Sequence, residues 1–303
     1  MKNAISYYYN LNPESIHQQD SKYRFIADEK KYILCKYEGR IEELEEKYYL
    51  QQYLNIRKIY CHKITKNRFY QLITEIDMKK YVLIELIFNN RIIKIEDISY
   101  ISNISVRDNK IKYINKNEWK YLWKKKVDYI EYQLNQIGKK YNVITEINDY
   151  FIGIAENCIE LLENENIKNN NTAICHERIN KKTSTDEFYN PLNFIIDNRT
   201  RDIAEYLKKN LYDGQYDNKE FEEYIITNKL NSSEVKLLFI RLLYPSTYFD
   251  LYEQILEKKI KEKELLKKIN NSQNFEKNIK QLYKDLKRMI DMPNIEWLKI
   301  KKY

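Results

Sequence analysis

Residues 172–207 read TAICHERINKKTSTDEFYNPLNFIIDNRTRDIAEYL, and the rest of the chain is organised around them. Ala173-Ile174-Cys175 is a short apolar run ending at His176, and Phe194-Ile195-Ile196 is a second one ending at Asp197. Runs this short, bounded by polar loops, have the length of buried strands and not of helices. Arg201-Asp202 then opens an amphipathic helix, with an acid in the first turn where the helix dipole favours negative charge. Two buried strands therefore carry polar side chains to one edge, and an acid-led helix follows at once.

Working outward, the N-terminal part has a different rhythm. Residues 4–11 form a short helix candidate, after which Tyr23-Phe25-Ala27 and Tyr32-Leu34-Lys36 alternate around a polar turn, the pattern of a hairpin. A helix is expected over residues 41–54, then strands over 59–65, 69–76 and 81–86, five strands in all with one helix after the hairpin. Phe88-Asn89-Asn90 reads as a hinge. From residue 116 onward the period becomes helical. Trp119, Trp123, Val127, Ile130, Leu134 and Ile137 recur at three and four residues and stop at Gly138. The two tryptophans at that spacing read as core and not as a platform for stacking bases. A second helix covers residues 147–162, and the chain after the central stretch is helical to near its end, with Ser232-Ser233-Glu234 as one helix start.

Composition narrows the function classes. The 303 residues suffice for one large domain or two lobes, and clear periodicity with 43% hydrophobic residues excludes disorder. Only four glycines and four prolines occur, which favours helices and few tight turns. The net charge of +8 comes with Lys, Asn, Ile and Tyr raised together, the mark of AT-rich coding sequence and of solvated helix faces. Lys124-Lys125-Lys126, between Trp123 and Val127, reads as the wet side of its helix. Cys35, Cys61, Cys158 and Cys175 are scattered without metal or disulfide spacing, so buried thiols of a reducing cytosol are expected. His62, beside Cys61, has no second ligand at fixed spacing and reads as structural. Met1-Lys2-Asn3-Ala4 leads into tyrosines and not into a signal-peptide core, and no apolar run approaches the roughly 20 residues of a membrane span.

Four blocks in order, DYFIGIAENCIELL (149–162), AICHERI (173–179), DNRTRDIAEYLK (197–208) and SSEVKLLFIRLLYPSTYFDLYE (232–253), resemble the spore-coat CotS/YutH group. That group is similar in fold to aminoglycoside and choline phosphotransferases. The resemblance implies an α+β, two-lobed, protein-kinase-like architecture. Residues 1–88 would form a small antiparallel β N-lobe of five strands and one helix, and residues 89–303 a mostly helical C-lobe carrying the degenerate catalytic strands.

A phosphotransferase of this kind requires a phosphate-binding lysine, a base, a metal acid and usually a second metal ligand. The resemblance puts Lys36 in the first role, at the end of a strand, with Glu46 as its helix partner and Glu45 close behind. Asp197 falls at the metal position. At the base position His176-Glu177-Arg178 stands where His-Gly-Asp is implied, and arginine accepts no proton at physiological pH. Five residues after His176 stands Lys181 and not asparagine, and no glycine precedes Gly39 to bring backbone amides to a phosphate. Because both residues end adjacent strands and an unpaired buried charge of either sign is costly, the guanidinium of Arg178 is expected to pair with Asp197, a fixed cation in the place of magnesium. Asp202 and His176 are assigned scaffold roles.

The expectation is therefore a pseudokinase, a structural or binding component in spore coat formation, with other spore-coat proteins as partners. No cofactor is expected. The protein would be made in the mother-cell cytoplasm and pass to the spore coat. The alternative is an active ATP-dependent small-molecule phosphotransferase using ATP and Mg, with Glu177 or a residue of 180–190 as base. A basic nucleic-acid-binding protein is a second alternative, opposed by the absence of a DNA-reading motif.

Overall fold

The computed structural model describes residues 1–19, 22–106, 110–116, 118–137, 140–165, 171–214, 217–269 and 272–299. From the N-terminus come helix α1 (Lys2–Tyr9), strands β1 (Ile16–Gln19), β2 (Lys22–Ala27) and β3 (Lys30–Lys36), and helix α2 (Ile41–Ile56). Strands β4 (Lys63–Thr65), β5 (Thr74–Ile76) and β6 (Lys79–Leu86) precede helices α3 (Ile95–Ser102), α4 (Trp119–Ile137) and α5 (Asn142–Asn164). Strand β7 (Thr172–His176), the short helix α6 (Thr185–Phe188) and strand β8 (Phe194–Asn198) follow. Helices α7 (Arg201–Asp213), α8 (Asn218–Thr227), α9 (Ser232–Leu243), α10 (Ser246–Leu256), α11 (Glu262–Ile269) and α12 (Ser272–Met289) complete the order.

The chain divides into two compact units. One comprises Met1–Lys94, Val106–Lys116 and Ile174–Asp197, and the other Ile95–Ser105, Asn117–Ala173 and Asn198–Tyr303. The division expected at residue 88 is thus replaced by an interleaved one, in which the whole stretch from His176 to Asp197 groups with the N-terminal sheet.

In the first unit the sheet has six strands and not the five expected, in the order β1-β2-β3-β6-β4 with β5 also on β6. The strand missed is β1, whose Ile16-His17-Gln18-Gln19 is mostly exposed and carries no alternation. It is an edge strand, paired to β2 with Ile16 opposite Phe25. Both sheet faces are covered, so Tyr81-Val82-Leu83-Ile84 of β6 is buried without interruption. On one face Ile5 of α1 packs with Phe25, Tyr32, Leu34 and Leu83. On the other Leu44 of α2 packs with Ile33, Cys35, Tyr37, Val82 and Ile84.

Strands β4 and β5 are shorter than expected because Asn67 interrupts them. Its buried side-chain oxygen accepts hydrogen bonds from the backbone N–H groups of Phe69 and Gln71, at 2.9 and 3.0 Å, which turns the chain out of the sheet. The β2–β3 and β5–β6 turns use Asp28-Glu29 and Asp77-Met78, all four with φ between 49 and 62°.

The second unit is helical. In α5 a continuous buried stripe includes Phe151, Ile152, Ala155, Cys158 and Leu162. Trp119 is buried and Trp123 stacks on Tyr244 at 3.8 Å, so both tryptophans pack inside the unit. The C-terminal stop expected at Gly138 lies outside the described residues. Helix α9 is capped one residue earlier than Ser232: Asn231 and Glu234 form a reciprocal capping box. The same Glu234 pairs with Arg199 and accepts a hydrogen bond from Asn171 at 2.8 Å.

Candidate active site

The site is assembled from the parts of the first unit that carry Lys36, α2, the residues after β6, and the loop between β7 and β8. Side chains alternate along β3, so Tyr32, Leu34 and Lys36 share the face covered by α1, while Ile33 and Cys35 face α2. Lys36 is exposed and its ammonium pairs with Glu38. The residue that does face α2 at this end of the strand is Cys35, whose thiol burial pushes up to about 11. Sequence reasoning found the lysine and missed its face.

Glu46 of α2 is committed elsewhere. Its carboxylate accepts hydrogen bonds from three successive backbone N–H groups, those of Lys112, Tyr113 and Ile114, at 2.8, 2.9 and 3.0 Å. The expected pair of Lys36 with Glu46 is therefore not formed, and Glu45 has no polar partner among the described residues. In its place the next residue, the buried Lys47, donates to the Leu192 carbonyl at 2.6 Å and reaches the Glu177 carboxylate at 3.4 Å. Helix α2 is thus tied to the β7–β8 loop by a lysine on the helix and an acid on the loop.

The segment after β6 is likewise occupied by the chain itself. Ile87 donates its N–H to His62 Nδ1 at 3.0 Å, and His62 Nε2 donates to the Thr185 carbonyl at 3.2 Å. The Thr185 hydroxyl donates to the Asn89 carbonyl at 2.8 Å and accepts from the Arg91 N–H at 3.1 Å. Thr185 N–H donates to the Arg91 carbonyl at 2.8 Å, and Ile93 N–H to the Thr183 carbonyl at 3.0 Å. Phe88 packs on Tyr189 with ring centroids 4.3 Å apart. The Asn89 carbonyl, both backbone groups of Arg91 and the Ile93 N–H are consequently bonded by Thr183 and Thr185. Burial pushes the His62 imidazole down to about 4, consistent with a neutral ring donating at one nitrogen and accepting at the other.

His176 is buried, stacks on Phe188 at 4.2 Å and bonds through Nε2 to the Phe188 carbonyl at 2.7 Å. That is a packing role. Asp197 is fully buried and Arg178 is exposed, so only the acid carries the burial cost that motivated their expected pairing. Asp202 is buried in the first turn of α7 in the second unit. Beneath the sheet, Arg24 of β2 forms an ion pair with the buried Asp186 of α6, beside a cavity of about 230 Å³ lined also by His17, Leu86, Phe88 and Asn90.

The family model "Spore coat putative kinase YutH" matches residues 2–287. The chain belongs to the YutH spore-coat family. It is 24% identical to the endospore coat-associated protein YutH of Bacillus subtilis (strain 168), over 98% of each chain. Among solved structures, an aminoglycoside phosphotransferase from Alicyclobacillus acidocaldarius aligns at a TM-score of 0.68 and 10% identity, covering 95% of this chain and 96% of that one. A spectinomycin phosphotransferase solved with ADP and spectinomycin aligns at 0.58 and 12% identity, over 91% and 92%. These likenesses establish the aminoglycoside phosphotransferase-like fold expected from the four sequence blocks.

Among the described residues no group of three or more His, Cys, Asp or Glu side chains is placed to hold a metal ion. The strand lysine lies on the α1 face, the helix glutamate binds backbone, and the Asn89 carbonyl is bonded by Thr185. Lys36, Glu46 and the Asn89 carbonyl are thus each committed to a contact within the chain. Among the described residues no helix is long and apolar enough to cross a membrane.

Proposed function

We propose that this YutH family member is a pseudokinase, a kinase-shaped binding or structural component of the spore coat that transfers no phosphate. The observation that carries the reading is the rewired α2: Glu46 is held by three backbone amides, Lys36 pairs with Glu38 on the α1 face, and Lys47 replaces the expected pair by reaching Glu177. Arg178 at the base position supports it, since a guanidinium cannot take the proton of an attacking hydroxyl. On this reading the protein is made in the mother-cell cytoplasm, moves to the coat and acts through other coat proteins.

A second reading, an ATP-dependent small-molecule phosphotransferase, keeps one observation in its favour: the cavity of about 230 Å³ beside Phe88 and Asn90, with Asp186 in its wall. A thermal melt of the purified protein with ATP, with and without magnesium, separates the two. The pseudokinase shows no shift up to millimolar nucleotide. Saturation to about a hundred times Kd would stabilise the fold by roughly 2.7 kcal/mol, and a magnesium-dependent shift of that size overturns the proposal.

A further inference from the structure

A groove of about 570 Å³ opens between α2 and residues 66–75. That volume is in the range of sites that seat a small ligand or a few side chains, roughly 300–1,000 Å³. Its floor is apolar: Tyr48, Leu72 and Ile73 pack directly onto the core cluster under α2, and Ile41 is exposed at the helix start. Its rim carries Glu45 and Glu75. Neither carboxylate has a hydrogen-bond or ion-pair partner among the described residues, although the chain has 53 Lys+Arg to 45 Asp+Glu. The one lysine of the rim, Lys66, has its ammonium 4.9 Å from the centre of the Tyr48 ring.

The wall opposite α2 is built with care around an exposed aromatic residue. Asn67 holds the loop through its own backbone and side chain: it donates N–H to the Gln71 carbonyl at 2.9 Å, accepts Tyr70 N–H at its carbonyl at 2.8 Å, and donates Nδ2 to Thr74 Oγ1 at 3.1 Å. The outcome is Tyr70 at a φ of 62°, 83% exposed, lining the groove. A bulky side chain in the left-handed region is strained and exposes apolar surface to water, so packing inside this fold does not account for it.

We propose that this groove docks a short basic segment of a partner protein, with one aromatic or aliphatic side chain on the floor of Ile41, Tyr48, Leu72 and Ile73. Flanking arginines or lysines pair with Glu45 and Glu75, and the Tyr70 ring packs against the inserted chain. The choice of a basic partner rests on charge complementarity: unpaired carboxylates and aromatic faces both attract guanidinium and ammonium groups. The inference does not depend on whether nucleotide binds, because none of its residues belongs to the hinge or to the β7–β8 loop.

The test uses the full chain and a fluorescent synthetic peptide with a central tryptophan flanked on both sides by arginine and lysine, read by anisotropy. Controls replace the basic residues by glutamate or the tryptophan by alanine. The basic tryptophan peptide is expected to saturate and to weaken at high salt. Glu45→Lys with Glu75→Lys, and separately Tyr70→Gly, should each weaken it by about tenfold or more. Tyr70→Gly should keep or raise the melting temperature, since glycine takes this φ without strain. Failure to bind, equal binding of either control peptide, or undiminished binding by the charge-reversed variant overturns the proposal. So does a change in sedimentation from dimer to monomer on charge reversal, which would assign the groove to a second copy of the chain.

Discussion

His62 joins the hinge to the β7–β8 loop with two hydrogen bonds that only a neutral ring can make in this geometry. Its pKa is pushed down to about 4 by burial, from the ordinary 6.5 of an imidazole. Between those values the unfolded chain holds more proton than the folded one, so stability falls as pH falls. The contribution is whole above about pH 6.5 and lost as pH passes below about 4, a change on the order of 3 kcal/mol. Denaturant titrations should show the stability advantage of the wild type over His62→Gln shrinking by about that amount between pH 7 and 4. Glu46 offers a second residue-level prediction. Glu46→Gln removes the charge facing three backbone donors and should cost about 1–2 kcal/mol in urea unfolding, whereas Glu45→Gln, exposed and unpartnered, should cost under about 0.5. Both residues stood out in the sequence, but their partners did not. A single strand with apolar residues on both parities, Ile33 and Cys35 against Tyr32 and Leu34, does not reveal which face will meet α2, and so the side of Lys36 was not legible.

The turns show how elements were and were not readable. Scarce glycine suggested few tight turns, yet the described residues include two two-residue hairpin turns, Asp28-Glu29 and Asp77-Met78, with positive φ. Aspartate tolerates this region, while methionine does so at a cost. Met78 is 93% exposed, so Met78→Gly should raise the unfolding free energy by about 0.5–1 kcal/mol in denaturant titration, without touching the core. The long helices announced themselves because their apolar stripes repeat over several turns, as in α4 and α5. Strand β1 did not, because an exposed edge strand with one apolar residue in four has no pattern to read. The short lengths of β4 and β5 depend on one buried asparagine drawing two amides to its side chain, a local contest between side chain and ladder that periodicity does not register.

At the scale of the molecule, the four sequence blocks were enough to place the chain in its fold and family, because they hold the strand ends and helix starts that any kinase-like chain must have. They were not enough to show how the β7–β8 loop folds, since residues 180–190 carry no periodicity of their own. That loop has a further consequence. By bonding to the backbone of residues 89–93, Thr183 and Thr185 act as an intramolecular competitor, permanently tethered beside the groups it covers. A tethered competitor has an effective concentration on the order of millimolar. A diffusing molecule that needs the same amides and carbonyls meets a target whose open fraction divides its affinity.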